Sequence, residues 1–335
     1  MFIDFGNFYY YLKYSKEKVN SMQIIIQLLL LVLGFVLLIK GADKFVEGSS
    51  KIADKFHIPQ LVIGLTIVAF GTSAPEAAVS INAALNKNAD ISISNVLGSN
   101  IFNILIIIGI TSIILPLTIQ KSTLYFELPY VIISTLVLLL LGSDETLTLL
   151  DGVILWVMFI IFFIYLIRLS KSGKAQMDDV PEASDKDKIP YLILITLLGM
   201  AAIIIGSDLT VDSATKIAEI FGMSPRFIGL TIVAFGTSLP ELITSITAAK
   251  KGKDDIAVGN IVGSNLFNIL FVLSTTALIT PINFAKSFIV DAIVAIAAAV
   301  FLLICVFRDR KVGKTGGIIM LIGYAAYFAY LVFLR

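Results

Sequence analysis

The chain has 335 residues, 58% of them hydrophobic and only 15% charged, with a formal net charge of +1 and a mean hydropathy of +0.95. Soluble domains carry roughly a quarter charged residues, so this composition excludes an ordinary soluble fold, and the near-zero net charge offers nucleic acid no electrostatic partner. The single cysteine, Cys305, excludes an intramolecular disulfide and reads as a buried inert thiol, and the lone His57, in a polar connection before Pro59, reads as a surface residue rather than a metal ligand.

Residues 1–22 are polar and aromatic and lack the features of a signal peptide. They form an N-terminal extension to which no function is assigned. Ten apolar runs follow, near 23–40, 60–86, 92–115, 124–142, 152–169, 190–206, 225–250, 257–280, 288–307 and 316–334. Runs of this length are membrane-spanning helices. The expected fold is therefore an all-α polytopic membrane protein with ten transmembrane helices. Residues 170–188, rich in charges of both signs, form a solvated linker between the fifth and sixth spans.

The stretch GLTIVAFGTSAPE, from Gly64 to Glu76, returns as GLTIVAFGTSLPE from Gly229 to Glu241, an offset of 165 residues. The same offset relates Gly41 to Gly206, Asp43 to Asp208, Asn95 to Asn260, and Gly98-Ser99-Asn100 with Phe102 and Asn103 to Gly263-Ser264-Asn265 with Phe267 and Asn268. The chain thus divides into a first repeat at 23–169 and a second at 189–335. Each holds five spans, an odd number, so the second repeat enters the membrane upside down. Inverted repeats of this kind are typical of secondary transporters, whose sites lie near the midplane where the repeats meet.

Of the 25 Lys and Arg, 17 fall in the connections after spans 1, 3, 5, 7 and 9. The positive-inside rule puts these connections and the linker in the cytoplasm of a cell whose plasma or inner membrane holds the chain, with both termini outside.

Inside the signature, Pro75 and Pro240 lack an amide hydrogen and crowd the carbonyl four residues back, so each helix should kink or break there and free backbone carbonyls. Such irregular backbone is tolerated at membrane depth where it lines a polar cavity. Thr72 and Glu76 are four residues apart on one face, and Thr237, Ser238 and Glu241 repeat the arrangement. In the second motif, GSNIFN and GSNLFN, Ser99 faces with Asn103 and Ser264 with Asn268. Asn100 and Asn265 lie off that face and are left out of the site. The donors are all hard oxygens, with no His or Cys cluster to suit zinc or copper. They suit calcium, which takes six to eight oxygens, or sodium with fewer.

An isolated acid at a helix centre costs roughly 2.5–3.5 kcal/mol on insertion scales, so two cost roughly 5–7 kcal/mol if independent. A divalent ion neutralises both; without ions, protonation is the expected escape. The plainer alternative, that Glu76 and Glu241 only glue helices, lacks a Lys or Arg nearby in either signature helix to pair with them, none lying in 68–84 or 233–249. For Ser99 and Ser264, close helix packing is the competing reading. Asp43 and Asp208 end spans 1 and 6 and read as solvated helix-end acids rather than gating residues.

At these motifs the sequence resembles the cation/calcium exchanger superfamily, most closely its prokaryotic sodium/calcium antiporter branch, over nearly the whole chain from about residue 22. The resemblance implies no cofactor, calcium and sodium as transported ions and the lipid bilayer as surroundings; it implies no protein partner and is compatible with a monomer. It implies exchange of about three sodium ions for one calcium by alternating access, with spans 2, 3, 7 and 8 around the ions and spans 1 and 6 sliding across them. By matched positions, Glu76 and Glu241 would be the shared calcium carboxylates, and Thr72 and Thr237 would contact calcium largely through backbone oxygen. Ala69 and Ala234 would lend carbonyls to sodium, Ser73, Ser99, Ser238 and Ser264 would lend hydroxyls, and Asn103 would line the central position. Some relatives carry aspartate where this chain has Asn268, as do potassium-dependent members, so asparagine there implies that potassium is not required.

Three other functions compete. Proton-coupled calcium exchange keeps the fold, but its members usually carry a different signature around the glutamate. A calcium-permeable channel usually builds its pore from several subunits. An intramembrane enzyme could use the two acids as a protease dyad, but each follows a proline in a break lined with hydroxyls.

Overall fold

A computed structural model describes residues 5–86, 89–171, 187–221, 223 and 234–333, with side chains from Met22 onward except those of Asp90 and Ala234. The expected linker and the first part of the seventh span lie largely outside the described residues. In chain order the helices are α1 (Phe5–Phe56), α2 (Gln60–Thr72), α3 (Ala74–Leu85), α4 (Ile91–Ile114), α5 (Thr123–Asp144), α6 (Leu149–Lys171), α7 (Ile189–Ile220), α8 (Ala234–Gly236), α9 (Leu239–Lys250), α10 (Asp254–Ile279), α11 (Lys286–Phe307) and α12 (Lys314–Phe333). Among the described residues, eight helices are long and apolar enough to cross a bilayer, and α2 with α3, bent by 50° at their junction, make a ninth. Of the remaining expected span, the seventh at 225–250, only residues 234–250, with α8 and α9, are described.

Spans 1 and 6 are longer than hydropathy implies. The apolar runs end near residues 40 and 206, yet α1 continues to Phe56 and α7 to Ile220. No proline interrupts either continuation before Pro59 and Pro225, and the α1 continuation buries Ala42, Phe45, Val46, Ser49, Ser50 and Ala53. A helix needs an unbroken backbone and a buried face, not a continuous apolar sequence. Helix α1 stops where His57 takes a left-handed conformation, φ 53°, two residues before Pro59. Asp43 and Asp208 therefore lie within helices rather than at their ends. Both remain open to solvent, and Asp43 Oδ1 pairs with Lys251 Nζ at 2.8 Å.

Helices α1 and α7 pack chiefly against each other along a seam of glycines. A Cβ added to Gly206 would lie 2.8 Å from Gly34 O, and one added to Gly41 would lie 2.9 Å from Gly199 O. The backbones touch because no side chain intervenes, the small-residue packing expected where lipid supplies no hydrophobic drive between helices. Positions 34 and 199, and 41 and 206, are themselves one repeat apart, so each contact is the other seen from the opposite face.

The inversion is also visible in two short antiparallel ribbons. Strand β1 (Leu117–Thr118) pairs with β4 (Lys311–Val312), and β2 (Thr146–Leu147) with β3 (Ile282–Asn283). Adding 165 turns β1 into β3 and β2 into β4, so the repeat carries one ribbon into the other. Each ribbon stitches a connection of one repeat to a connection of the other. The residues leading into β2 and β4, Glu145 and Arg310, are both left-handed and also 165 apart.

The described parts of the connections after spans 1, 3, 5, 7 and 9 meet on one face. The β1·β4 ribbon joins the third to the ninth. Asp254 Oδ2 accepts from Thr118 N at 2.9 Å and Asp255 Oδ2 from Gln120 Nε2 at 3.0 Å. Lys251 reaches Asp43, and Lys51 lies 3.5 Å from Asp187 and 3.3 Å from Glu47.

Candidate ion-binding site

Helix α2 stops at Ser73, whose ψ of 7° breaks the helical run, and α3 restarts with Pro75 in its first turn. Ser238, with ψ 7°, does the same before Pro240 and α9. Proline is tolerated there because first-turn amides have no helical acceptor. The break thus places Glu76 and Glu241 in the first turns of α3 and α9, where the helix dipole favours negative charge. Opposite them, α4 and α10 loosen into π-helical turns that begin at the motif asparagines, Asn103–Ile108 and Asn268–Leu273. Single π-turns of this sort cluster at functional sites.

The two repeats meet here through hydrogen bonds that cross from one to the other. Ser73 Oγ donates to Glu241 Oε1 at 2.8 Å, and Thr72 Oγ1 lies 2.9 Å from Asn260 Oδ1. Ser238 and Ser99 hydroxyls approach to 3.5 Å, and the Ser264 hydroxyl lies 3.5 Å from Ala69 O. Asn103 Nδ2 donates to Asn265 Oδ1 at 2.9 Å, and Asn268 Nδ2 to Asn100 Oδ1 at 3.1 Å. Phe70, Phe102, Phe235 and Phe267 adjoin site positions in the chain, and they build two aromatic triads related by the repeat. In one, Phe70 packs on Phe267 at 4.5 Å and on Phe159 at 6.1 Å; in the other, Phe235 packs on Phe102 at 4.8 Å and on Tyr324 at 6.0 Å.

Glu76 and Glu241 are each 1% exposed, and their carboxylates are near enough to repel one another. One oxygen of each, Glu76 Oε2 and Glu241 Oε2, is buried with no hydrogen-bond partner, and so are Asn103 Oδ1 and Asn268 Oδ1. Buried polar atoms are nearly always satisfied. Four acceptor oxygens left over in one cluster, two of them formally charged, make a set suited to a cation. No group of three or more His, Cys, Asp or Glu occurs among the described residues, so the remaining donors are hydroxyl, amide and carbonyl oxygens. That set fits a hard cation.

The structure therefore brings together Glu76, Glu241, Ser73, Ser238, Ser99, Ser264, Asn103, Asn268, Thr72 and the Ala69 carbonyl. The Thr72 hydroxyl is turned toward Asn260. Thr237 is half-buried in the turn before α9, and Ala234 opens α8 with its side chain outside the described set. Two residue pairs escaped the sequence reading. Asn100 and Asn265, set aside for lying off the motif face, bond to the motif asparagines. Asn95 Nδ2 donates to Glu76 O at 3.3 Å and Asn260 Nδ2 to Glu241 O at 3.4 Å, fastening the backbone of each acid. Their only advance signal was recurrence at the 165-residue offset.

A family model described as sodium/calcium exchanger protein matches residues 26–168 and again 191–333, one match per repeat. The chain belongs to the sodium/calcium exchanger family. Membership makes it a transporter and not an intramembrane enzyme, and places it in a membrane. The putative antiporter CaxA of Alkalimonas amylolytica is 40% identical over 310 residues, covering 90% of this exchanger and 96% of that protein. The sodium/calcium exchanger MaX1 of Methanosarcina acetivorans is 30% identical, covering 93% and 100%. A solved structure of the sodium–calcium exchanger NCX_Mj, soaked with zero Na+ and Ca2+, superposes with a TM-score of 0.80 at 31% identity, covering 92% of this exchanger and 99% of that chain.

Proposed function

We propose that this protein exchanges sodium for calcium across the membrane by alternating access, with the ions bound between Glu76, Glu241, Asn103 and Asn268. The observation that carries this reading is the cluster of four unpartnered, buried acceptor oxygens where the repeats meet. Two carboxylates match the charge of one calcium ion, and the same oxygens serve sodium, so the two loads compete for one site. Competition, with a barrier to switching when empty, gives coupled exchange rather than leak.

We read the stoichiometry as about three sodium ions per calcium, which makes transport electrogenic. Potassium is not required, because position 268 carries an amide. The Lys- and Arg-rich connections, which share one face, lie in the cytoplasm with the linker. Cysteines placed at Gly252 and at Asn283 should therefore be labelled from opposite sides of an oriented membrane.

The test is calcium uptake into sodium-loaded proteoliposomes diluted into sodium-free, potassium-free buffer. Uptake should depend on the sodium gradient, and a potential-sensitive dye should report the vesicle interior turning negative. Uptake that appears only with potassium, or only with a proton gradient, would overturn the coupling; no dye response during uptake would overturn electrogenicity.

A further inference from the structure

We propose that Asn100 and Asn265, neither on the ion-facing side of its helix, are positioning residues that aim the amide oxygens of Asn268 and Asn103 at the ions and demand an amide at both positions. The inference rests on the reading of that cluster as the ion site.

The orientation of all four amides follows from two backbone carbonyls. Asn100 faces Asn265 O at 3.1 Å, and Asn265 faces Asn100 O at 3.3 Å. A carbonyl oxygen only accepts, so the atom each side chain presents to it is Nδ2. The other atom of each amide must then be Oδ1, which also only accepts. Whatever faces Asn100 Oδ1 and Asn265 Oδ1 has to donate. These partners are Asn268 Nδ2 at 3.1 Å and Asn103 Nδ2 at 2.9 Å. One N–H of each nitrogen is committed to the bracket formed by Asn100 and Asn265, which fixes how the amides of Asn268 and Asn103 are turned, and their oxygens are the two unpartnered amide atoms of the cluster. All four residues are at most 2% exposed, so the bracket is shielded from bulk solvent.

The same chain of donors forbids an ionised acid at 268 or 103. A carboxylate there would set an acceptor against an acceptor, Asn100 Oδ1 or Asn265 Oδ1, in a buried setting. The bracket cannot turn to help, because rotating the Asn100 amide would put its oxygen against the Asn265 carbonyl. The site is thus held to two acids by residues that do not touch the ions.

A double-mutant cycle in the full-length exchanger tests this. Asn268→Asp should lower the kcat/KM for sodium-driven calcium uptake by about tenfold or more, the size of effect expected when one buried acceptor is left facing another. Asn100→Ala removes the opposing oxygen; in that background the penalty of Asn268→Asp, relative to Asn100→Ala alone, should be at least about threefold smaller, whatever the added charge itself costs at the ion site. Asn265→Ala with Asn103→Asp should repeat the pattern, which guards against one variant failing to fold. The melting temperature of the ion-free protein in detergent gives a second readout. Asn268→Asp should lower it when Asn100 is present and spare it in the Asn100→Ala background. Equal penalties in both backgrounds, in flux or in melting, would overturn the proposal. Absence of calcium uptake by the wild type would overturn the transport reading instead, and the melting cycle would still decide the bracket.

Discussion

Glu76→Gln and Glu241→Gln are each expected to reduce sodium-driven calcium uptake by at least about a hundredfold, about 2.7 kcal/mol in transport efficiency, without unfolding the protein. Glutamine keeps the volume and one acceptor oxygen but removes half of the charge that faces a divalent ion. It also presents a donor where Glu76 Oε2 or Glu241 Oε2 now waits for a cation. The loss is large because both side chains are shielded from water, where a charge is poorly compensated by anything but its partner. Stability should move the other way. No salt bridge to either acid is present among the described residues, so a neutral side chain spares the ion-free protein the cost of either an unpaired buried charge or of taking up a proton. Melting temperatures without ions should therefore be unchanged or higher in both variants, whereas added calcium should stabilise the wild type alone. Normal flux in either variant would remove the central assignment.

Enlarging the α1·α7 seam is expected to be nearly as damaging, for a mechanical reason. A Cβ at Gly199 would sit 2.6 Å from Phe45 N and 2.9 Å from Gly41 O. These neighbours are backbone atoms, which cannot rotate away, so Gly199→Val has to push the two long helices apart. Overpacking typically costs about 1–3 kcal/mol even where side chains can yield. The expected result is a lowered melting temperature and loss of most flux. Gly323→Val is the control, because Gly323 is exposed and a Cβ there meets no atom within 4 Å; it should behave as wild type. Full flux in Gly199→Val would show that the seam does not need close backbone contact.

Much of this was legible in the sequence because the chain says the important things twice. The offset between Glu76 and Glu241 implied the inverted repeat, and Pro75 and Pro240 implied the breaks now seen at Ser73 and Ser238. The length of α1 and α7 was not legible from hydropathy, which reports lipid exposure; after Lys40 and Ile205 the buried face is kept by small residues among charges. Asn100 and Asn265 were missed because a face argument treats one helix at a time. Where two helices cross at a pseudo-twofold axis, the back of one motif becomes the support of the other. The ribbons were also invisible, since two-residue strands carry no periodicity.

The ion pair between Lys251 and Asp43 bears on the energetics of the alternating access proposed above. In an inverted duplication, exchanging the conformations of the two repeats turns an inward-open molecule into an outward-open one. Two perfect copies would make those end states degenerate. Degeneracy fails only where the copies differ, and here they differ in charge. Lys251, which holds Asp43, has Asn86 as its counterpart. The arrangement that docks α1 on the seventh connection thus gains an ion pair that its mirror arrangement cannot form. At about 0–1 kcal/mol for an exposed pair, it skews the resting populations by up to roughly fivefold, before any ion has bound.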